Sequence, residues 1–230
     1  MQKSETCTDA EAPGVLAIDV GGCHVKVMHS IRRERRAFDS GPALTAERMC
    51  REVGALTQDW DYARIAIGIP CPVRDHVPLS DPPNLAPGWV GFDYATALGK
   101  PVRILNDAAM QALGSYRSGK MLFIGLGTGL GTALVLDGKV IGMELGHLPY
   151  RKNRSLEDYV GERGLQRLGP ARWRKHVQRV IALLDAAFVP DEIVIGGGNV
   201  RLLEELPPGC RRGDNDNAFL GGFRLWQEES

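Results

Sequence analysis

"LAIDVGGCHVKVMHS", Leu16 to Ser30, decides the fold. An apolar run closes on a carboxylate, Asp19, and is followed by Gly21, Gly22 and then Lys26. In a P-loop or a dinucleotide fingerprint such a glycine turn opens a helix. Here it opens "HVKVMHS", where Val25 and Val27 alternate with His24 and Lys26, the period of a strand. Gly21 and Gly22 are therefore expected at the tip of a β-hairpin. Backbone N–H groups freed by glycine suit an anion, and Lys26 agrees with one. Asp19 does not, unless a cation lies between.

The same grammar returns in "MLFIGLGTGLGTALVLDGKVIG", Met121 to Gly142. A strand reaches Gly125, Gly127, Gly129 and Gly131, a second strand leaves, and Asp137-Gly138 turns into a third. Either these are two ordinary tight hairpins, or a structural duplication whose hairpins grip one polyphosphate ligand from both sides. The remaining periodicity favours duplication. Residues 45–58 read as a helix capped by Thr45, 63–70 as a strand, and 80–91 as an irregular Pro/Gly loop. A short helix over 93–98, a strand over 101–106 and a helix over 107–116 follow, with Asp107 as N-cap. Gly169-Pro170 starts a helix to Phe188 with Trp173, Val177, Val180, Ile181, Leu184 and Phe188 on one stripe. "EIVIGGG" (Glu192–Gly198) is a strand, followed by a helix through Leu206; a last helix covers 217–227. The class is α/β with two lobes around a cleft. Residues 1–118 form the first lobe, with 1–14 expected to be disordered. Residues 119–230 form the second, its last helix a candidate to pack back on the first.

Composition narrows the function. In 230 residues, 43% hydrophobic and 24% charged, the formal net charge is zero, so no global field points to nucleic acid or membrane. Five scattered cysteines show no metal-ligand spacing, and reduced thiols in a cytoplasmic protein are the default expectation. Residues 1–14 are polar and acidic, unlike a signal peptide, and no apolar run reaches the ~18 residues of a membrane span.

Two constellations fall at strand ends. "ILNDAA" puts Asn106 and Asp107 where a strand meets a helix, the position that faces the ligand crevice in open α/β sheets. "MELGHLPY" offers Glu144 and His147 three residues apart. Carboxylates, an amide and an imidazole beside a phosphate grip suit a polyhydroxylated substrate, each hydroxyl of which both donates and accepts. Singly, an N-cap, a turn residue and a solvated histidine explain them as well.

Taken in order and spacing, "DVGGCHVK", "GIPCPV", "LNDAA", "GLGTGLGTALVLDG", "ELGH", "IGGG" and "AFLGG" resemble the ROK sugar kinases of the actin-like ATPase superfamily. The likeness runs from Val15 to Trp226 and is greatest to the short, polyphosphate-glucokinase-like members. It implies a bilobal, ribonuclease-H-like fold and Mg²⁺-dependent phosphoryl transfer from ATP or inorganic polyphosphate to a hexose hydroxyl, most simply glucose to glucose 6-phosphate. By the same resemblance Asp107 is the catalytic base, and Asn106, Glu144, His147, Glu157 and Asn84 are sugar ligands. Asp19 is the metal-associated carboxylate, holding Mg²⁺ through water; Gly21, Gly22 and Lys26 meet the donor phosphates, as do Gly127, Thr128 and Gly129 from the other lobe. Gly196, Gly197 and Gly198 resemble the segment beneath the adenosine in ATP-using members. A homodimer is a further expectation.

Three departures qualify the resemblance. Many members carry a cysteine-rich zinc site between the ELGH histidine and the last sugar glutamate; here the interval is "LPYRKNRSL", so no structural zinc is expected. Cys23 stands where Thr or Ser is usual, and Cys71 where glycine is usual, which touch donor affinity and sugar fit. The rival is a catalytically weak sugar-binding or sensing protein. Repressor relatives carry a DNA-binding domain before the first strand, and 14 residues are expected to be too few for a helix-turn-helix.

Overall fold

β1 (Val15–Val20) and β2 (His24–His29) pair antiparallel, and a Gly21 N–H donated to the His24 carbonyl (2.9 Å) closes the turn between them. The structure, a computed structural model, describes residues 14–227; the disorder expected for residues 1–14 falls, Gly14 apart, outside them. The first half continues through β3 (Arg35–Asp39), α1 (Ala46–Leu56), β4 (Arg64–Ile69), a ribbon of β5 (Val73–Arg74) and β6 (Val77–Pro78), α2 (Tyr94–Leu98), β7 (Val102–Asn106) and α3 (Asp107–Ser115). The second runs through β8 (Lys120–Leu126), β9 (Leu130–Leu136), β10 (Lys139–Met143), a ribbon of β11 (Pro149–Arg151) and β12 (Arg154–Ser155), and helices α4 (Glu157–Val160), α5 (Glu162–Leu168) and α6 (Pro170–Phe188). It ends with β13 (Glu192–Gly196), β14 (Cys210–Arg212) and α7 (Asn217–Arg224).

The sheets β3-β2-β1-β4-β7 and β10-β9-β8-β13-β14 match strand for strand: an antiparallel meander, then two parallel strands. The duplication read from the two glycine hairpins is present. Both faces of each central strand are buried, as a sheet covered by helices on both sides requires. In β1, Leu16, Ile18 and Val20 pack with Met49 and Val53 of α1, while Val15 and Ala17 meet Phe219 and Phe223 of α7. In β8, Leu122, Ile124 and Leu126 pack with Trp173, Val177 and Ile181 of α6, while Met121 and Phe123 meet Ala108, Ala109 and Ala112 of α3.

The two inner helices are exchanged. α3 grows from the first sheet and packs on the second; α7 leaves the second and packs on the first. They cross where glycine faces glycine. A Cβ on Gly114 would strike the Asn217 carbonyl, and one on Gly221 the Met110 carbonyl. Arg224 of α7 then donates to the carbonyls of Leu113 (2.8 Å), Gly114 (3.2 Å) and Tyr116 (2.8 Å), satisfying groups that the end of α3 leaves open.

Several local expectations need correction. The helix expected after Gly198 is a short 3-10 turn, Gly198–Leu202. Arg212 donates to the carbonyls of Val200 (2.7 Å) and Leu203, and the chain then turns into β14, which its sequence did not announce. Asn106, not Asp107, caps α3: its Oδ1 accepts from Ala108 N (2.9 Å) and Ala109 N (3.2 Å). The last helix stops at Arg224. No helix among the described residues is long and apolar enough to cross a membrane.

Candidate active site

The strand ends of both halves open on one cleft of about 650 Å³. Asp19, Gly21, Gly22, Lys26 and Asn84 line it from the first half, with Asn106 and Asp107 at the join. Gly127, Thr128, Gly129, Glu144, His147, Glu157, Gly197 and Gly198 line it from the second. Gly196 is the exception. It is buried, and a Cβ there would meet Gln111 Oε1 and the Phe123 ring (both 2.7 Å). Cys23 is exposed and does not line the cleft, so its missing hydroxyl removes no cleft donor; Cys71 does line it.

At one end, loops meet around Asp107. Asn106 is committed at both ends of its amide, since its Nδ2 donates to the Cys71 carbonyl (3.1 Å) while its Oδ1 caps α3. Glu144 and His147 face each other across a 3-10 turn, Nε2 to Oε2 3.7 Å. Buried Thr132 holds that turn: its hydroxyl donates to the Met143 carbonyl (2.8 Å) and accepts from Leu145 N (3.2 Å). Glu157 accepts from Leu130 N (3.1 Å) and lies so close to Gly129 that a Cβ there would strike its carboxylate. One glutamate thus joins the ELGH side to the glycine hairpin. On the opposite rim, Asp81 accepts from the N–H groups of Gly88 (3.1 Å) and Trp89 (2.8 Å), and Trp89 is fully buried, so the Pro/Gly loop carrying Asn84 is pinned.

The charges are arranged to be costly. Burial, then repulsion from Asp19 and Glu144, pushes the Asp107 carboxyl up to about 6, although the Ala108 N–H opposes the rise. Asp19 is raised by burial too, against the pull of Lys26, its cross-strand neighbour in the register. No hydrogen bond reaches the Asp19 carboxylate among the described residues. Glu144 is raised by burial and by Glu157, with His147 pulling it down. Burial, then the nearby carboxylates, pushes the Cys71 thiol up to about 12, so it stays neutral.

A bare, buried carboxylate between a glycine hairpin and Lys26 fits a hard cation. Mg²⁺ is commonly held by one or two carboxylates plus waters and substrate phosphates, so it needs no preformed cage. Among the described residues no group of three or more His, Cys, Asp or Glu forms one. Reading the sequence did not single out Thr132, Gln111 or Asn215, the last two of which line the cleft. Arg163, which lines it too, stands out in sequence only as one of nine Lys/Arg between residues 151 and 179, a basic run suited to a polyphosphate donor. Gln111 is four residues after Asp107 on α3, a spacing that puts both on one face and could have found it. Asn215 carries no such signal.

The arrangement puts a buried carboxylate between the Glu144–His147 turn and two glycine hairpins. Known proteins resemble the chain as follows. The bifunctional enzyme NanE/NanK of Brucella melitensis is 33% identical over 143 residues, 55% of this chain and 27% of its own length. The polyphosphate glucokinase of Mycobacterium leprae is 27% identical over 139 residues, 54% of this chain and 43% of its own length. The chain spans less than half the length of either relative. Among solved structures, the inorganic polyphosphate/ATP-glucomannokinase of Arthrobacter sp. strain KM matches with a TM-score of 0.79 at 22% identity, over 94% of this chain and 100% of that one. The fold is the bilobal α/β arrangement of the actin-like ATPases. The family model described as ROK family matches residues 15–165, from the first strand through the Arg163 turn, and the chain belongs to that family.

Proposed function

We propose that the protein is a sugar kinase, moving a phosphoryl group from ATP or inorganic polyphosphate to a hexose hydroxyl, with glucose to glucose 6-phosphate the favoured reaction. One observation carries this. A strand-end carboxylate, Asp107, is pushed up to about 6 where the Glu144–His147 turn and both glycine hairpins converge. General bases work best with a pKa near the operating pH, and phosphoryl transfer asks mainly for positioning and charge stabilisation.

In this reading Glu144, His147 and Glu157 hold sugar hydroxyls, and Asn106 fixes the Cys71 carbonyl and the start of α3 around Asp107. The reacting hydroxyl donates to Asp107. As its oxygen bonds to the terminal phosphorus, the bond from phosphorus to the donor's bridging oxygen breaks and the proton passes to the Asp107 carboxylate. Lys26 and the N–H groups of Gly22, Thr128 and Gly129 face the donor phosphates, while the Gly21 and Gly127 N–H groups close the turns themselves. Asp19 would hold Mg²⁺ through water, which when bound neutralises charge on those phosphates.

A coupled assay crossing glucose, mannose and N-acetylmannosamine with ATP and polyphosphate tests the reading. Turnover is expected with at least one donor, glucose giving the highest kcat/KM. Sugar binding by calorimetry with no turnover in any combination would establish the sensing alternative instead.

A further inference from the structure

Positive charge is scarce in the cleft. Asp19, Asp81, Asp107, Glu144 and Glu157 line it, against two permanently charged cations, Lys26 and Arg163. Lys26 serves the hairpin of the first half; a donor's phosphates would meet no matching cation from the second unless Arg163 supplies it.

Arg163 is fixed relative to that second hairpin. The preceding residue, Glu162, donates its backbone N–H to the carbonyls of Gly127 and Thr128 (both 3.1 Å). Asn199 Nδ2 then bridges the Glu162 carboxylate (2.9 Å) and the Gly127 carbonyl (3.4 Å). The start of α5 is thereby tied to the phosphate turn, while the Arg163 side chain is exposed. Its guanidinium has no hydrogen bond or close ion pair among the described residues. Asp158, its acidic neighbour, is held low first by the Ser155 N–H and hydroxyl, with Arg163 adding to that.

The charge continues outward. Arg167 lies one helical turn further along α5, its guanidinium over the Tyr159 ring (5.2 Å) and donating to the Asp158 carbonyl (2.6 Å). Tyr159 packs on His176 of α6 (4.7 Å). Arg151 follows Tyr150, whose hydroxyl lies 3.2 Å from His176 Nδ1, and Arg179 is one turn after His176 on α6. With Arg167, three arginines thus gather around His176, whose imidazole is held below its usual range by burial and then by them. A run of exposed arginines beginning beside a phosphate turn fits a linear polyanion better than a compact one.

We propose that Arg163 anchors the donor's terminal phosphates from the second half, and that Arg167, Arg151 and Arg179 extend the donor site out of the cleft for a polyphosphate chain. The proposal deepens the kinase reading and depends on it for what the bound donor does, but not for whether phosphates bind there.

Calorimetry on the full chain, with tripolyphosphate, ATP and long-chain polyphosphate as probes, tests it. Arg163→Ala should weaken tripolyphosphate and ATP alike by about tenfold or more, as loss of a charge-assisted hydrogen bond implies. Arg163→Lys should recover part of that, and glucose affinity should stay within about twofold, below what such a bond is worth. The double variant Arg151→Ala/Arg179→Ala should weaken long-chain polyphosphate alone, with a shallower salt dependence than wild type. These residues are exposed, and thermal melts would confirm folding. Unchanged tripolyphosphate affinity in Arg163→Ala overturns the anchor. Unchanged long-chain affinity in the double variant overturns the extension and leaves a solvated basic face. If phosphates bind through Arg163 but no hexose is phosphorylated, this site stands and the kinase reading falls. If hexose is phosphorylated while donor binding is indifferent to Arg163, the kinase reading stands and this site falls.

Discussion

Asp107 carries a conflict between stability and chemistry. Its carboxyl is pushed up to about 6 in the folded chain, whereas an unfolded aspartate titrates near ~3.9. Between those values the folded state holds more protons than the unfolded one, so stability falls as pH rises through about 4 to 6. Asp107→Asn removes the buried charge and should be more stable than wild type at pH 7, by on the order of 3 kcal/mol. That difference should vanish near pH 4 in paired thermal melts; an equal gap at both pH values would place its origin elsewhere. Activity has the opposite sign, since a base must be ionised: kcat/KM should fall below about pH 6. Cys23 is a simpler case. Its side chain does not line the cleft, so Cys23→Thr should leave the donor KM within about twofold, less than a net hydrogen bond would give. A larger drop in KM would mean that the hairpin tip reaches the donor when it binds.

At the scale of elements, the hairpins were readable because glycine and period-two alternation are local signals. The same holds for α1, β4, α3 and α6, whose apolar stripes are long enough to show a period. β3 was not, since Arg35, Arg36 and Asp39 on an edge strand look like a polar loop. α4 and α5 were hidden by Gly161 and Gly164, which interrupt any stripe; Gly164 is required because a Cβ would strike the Tyr159 carbonyl. The residues named from motifs line the cleft, Gly196 excepted, but their supports could not be named. Thr132 appears in sequence as one more strand residue, yet its hydroxyl fixes both sides of the Glu144 turn. Thr132→Val would leave the Met143 carbonyl and the Leu145 N–H unpaired, a loss of about 1–3 kcal/mol. Sugar KM should rise by about tenfold, in line with that loss, with donor KM unmoved. Equal changes in both constants would make Thr132 a general core residue.

The whole molecule is two equivalent halves locked together by exchanged helices, with the cleft formed where their strand ends face each other. The lock depends on Gly114 and Gly221, whose close approach lets α3 and α7 touch backbone to backbone. Gly221→Ala should destabilise the protein by about 1–3 kcal/mol, the usual range for overpacking. It should also slow turnover, because α3 carries Asp107; a wild-type melting temperature would show that the crossing can slide. The central claim is that this cleft transfers a phosphoryl group, with Asp107 as base. Its most direct test compares wild type with Asp107→Asn, measuring kcat by coupled assay and sugar affinity by calorimetry. The amide keeps the shape and much of the hydrogen bonding, so sugar affinity should change little while kcat falls by at least ~10², the low end for general-base help. A kcat within about tenfold of wild type, short of that range, would contradict the assignment.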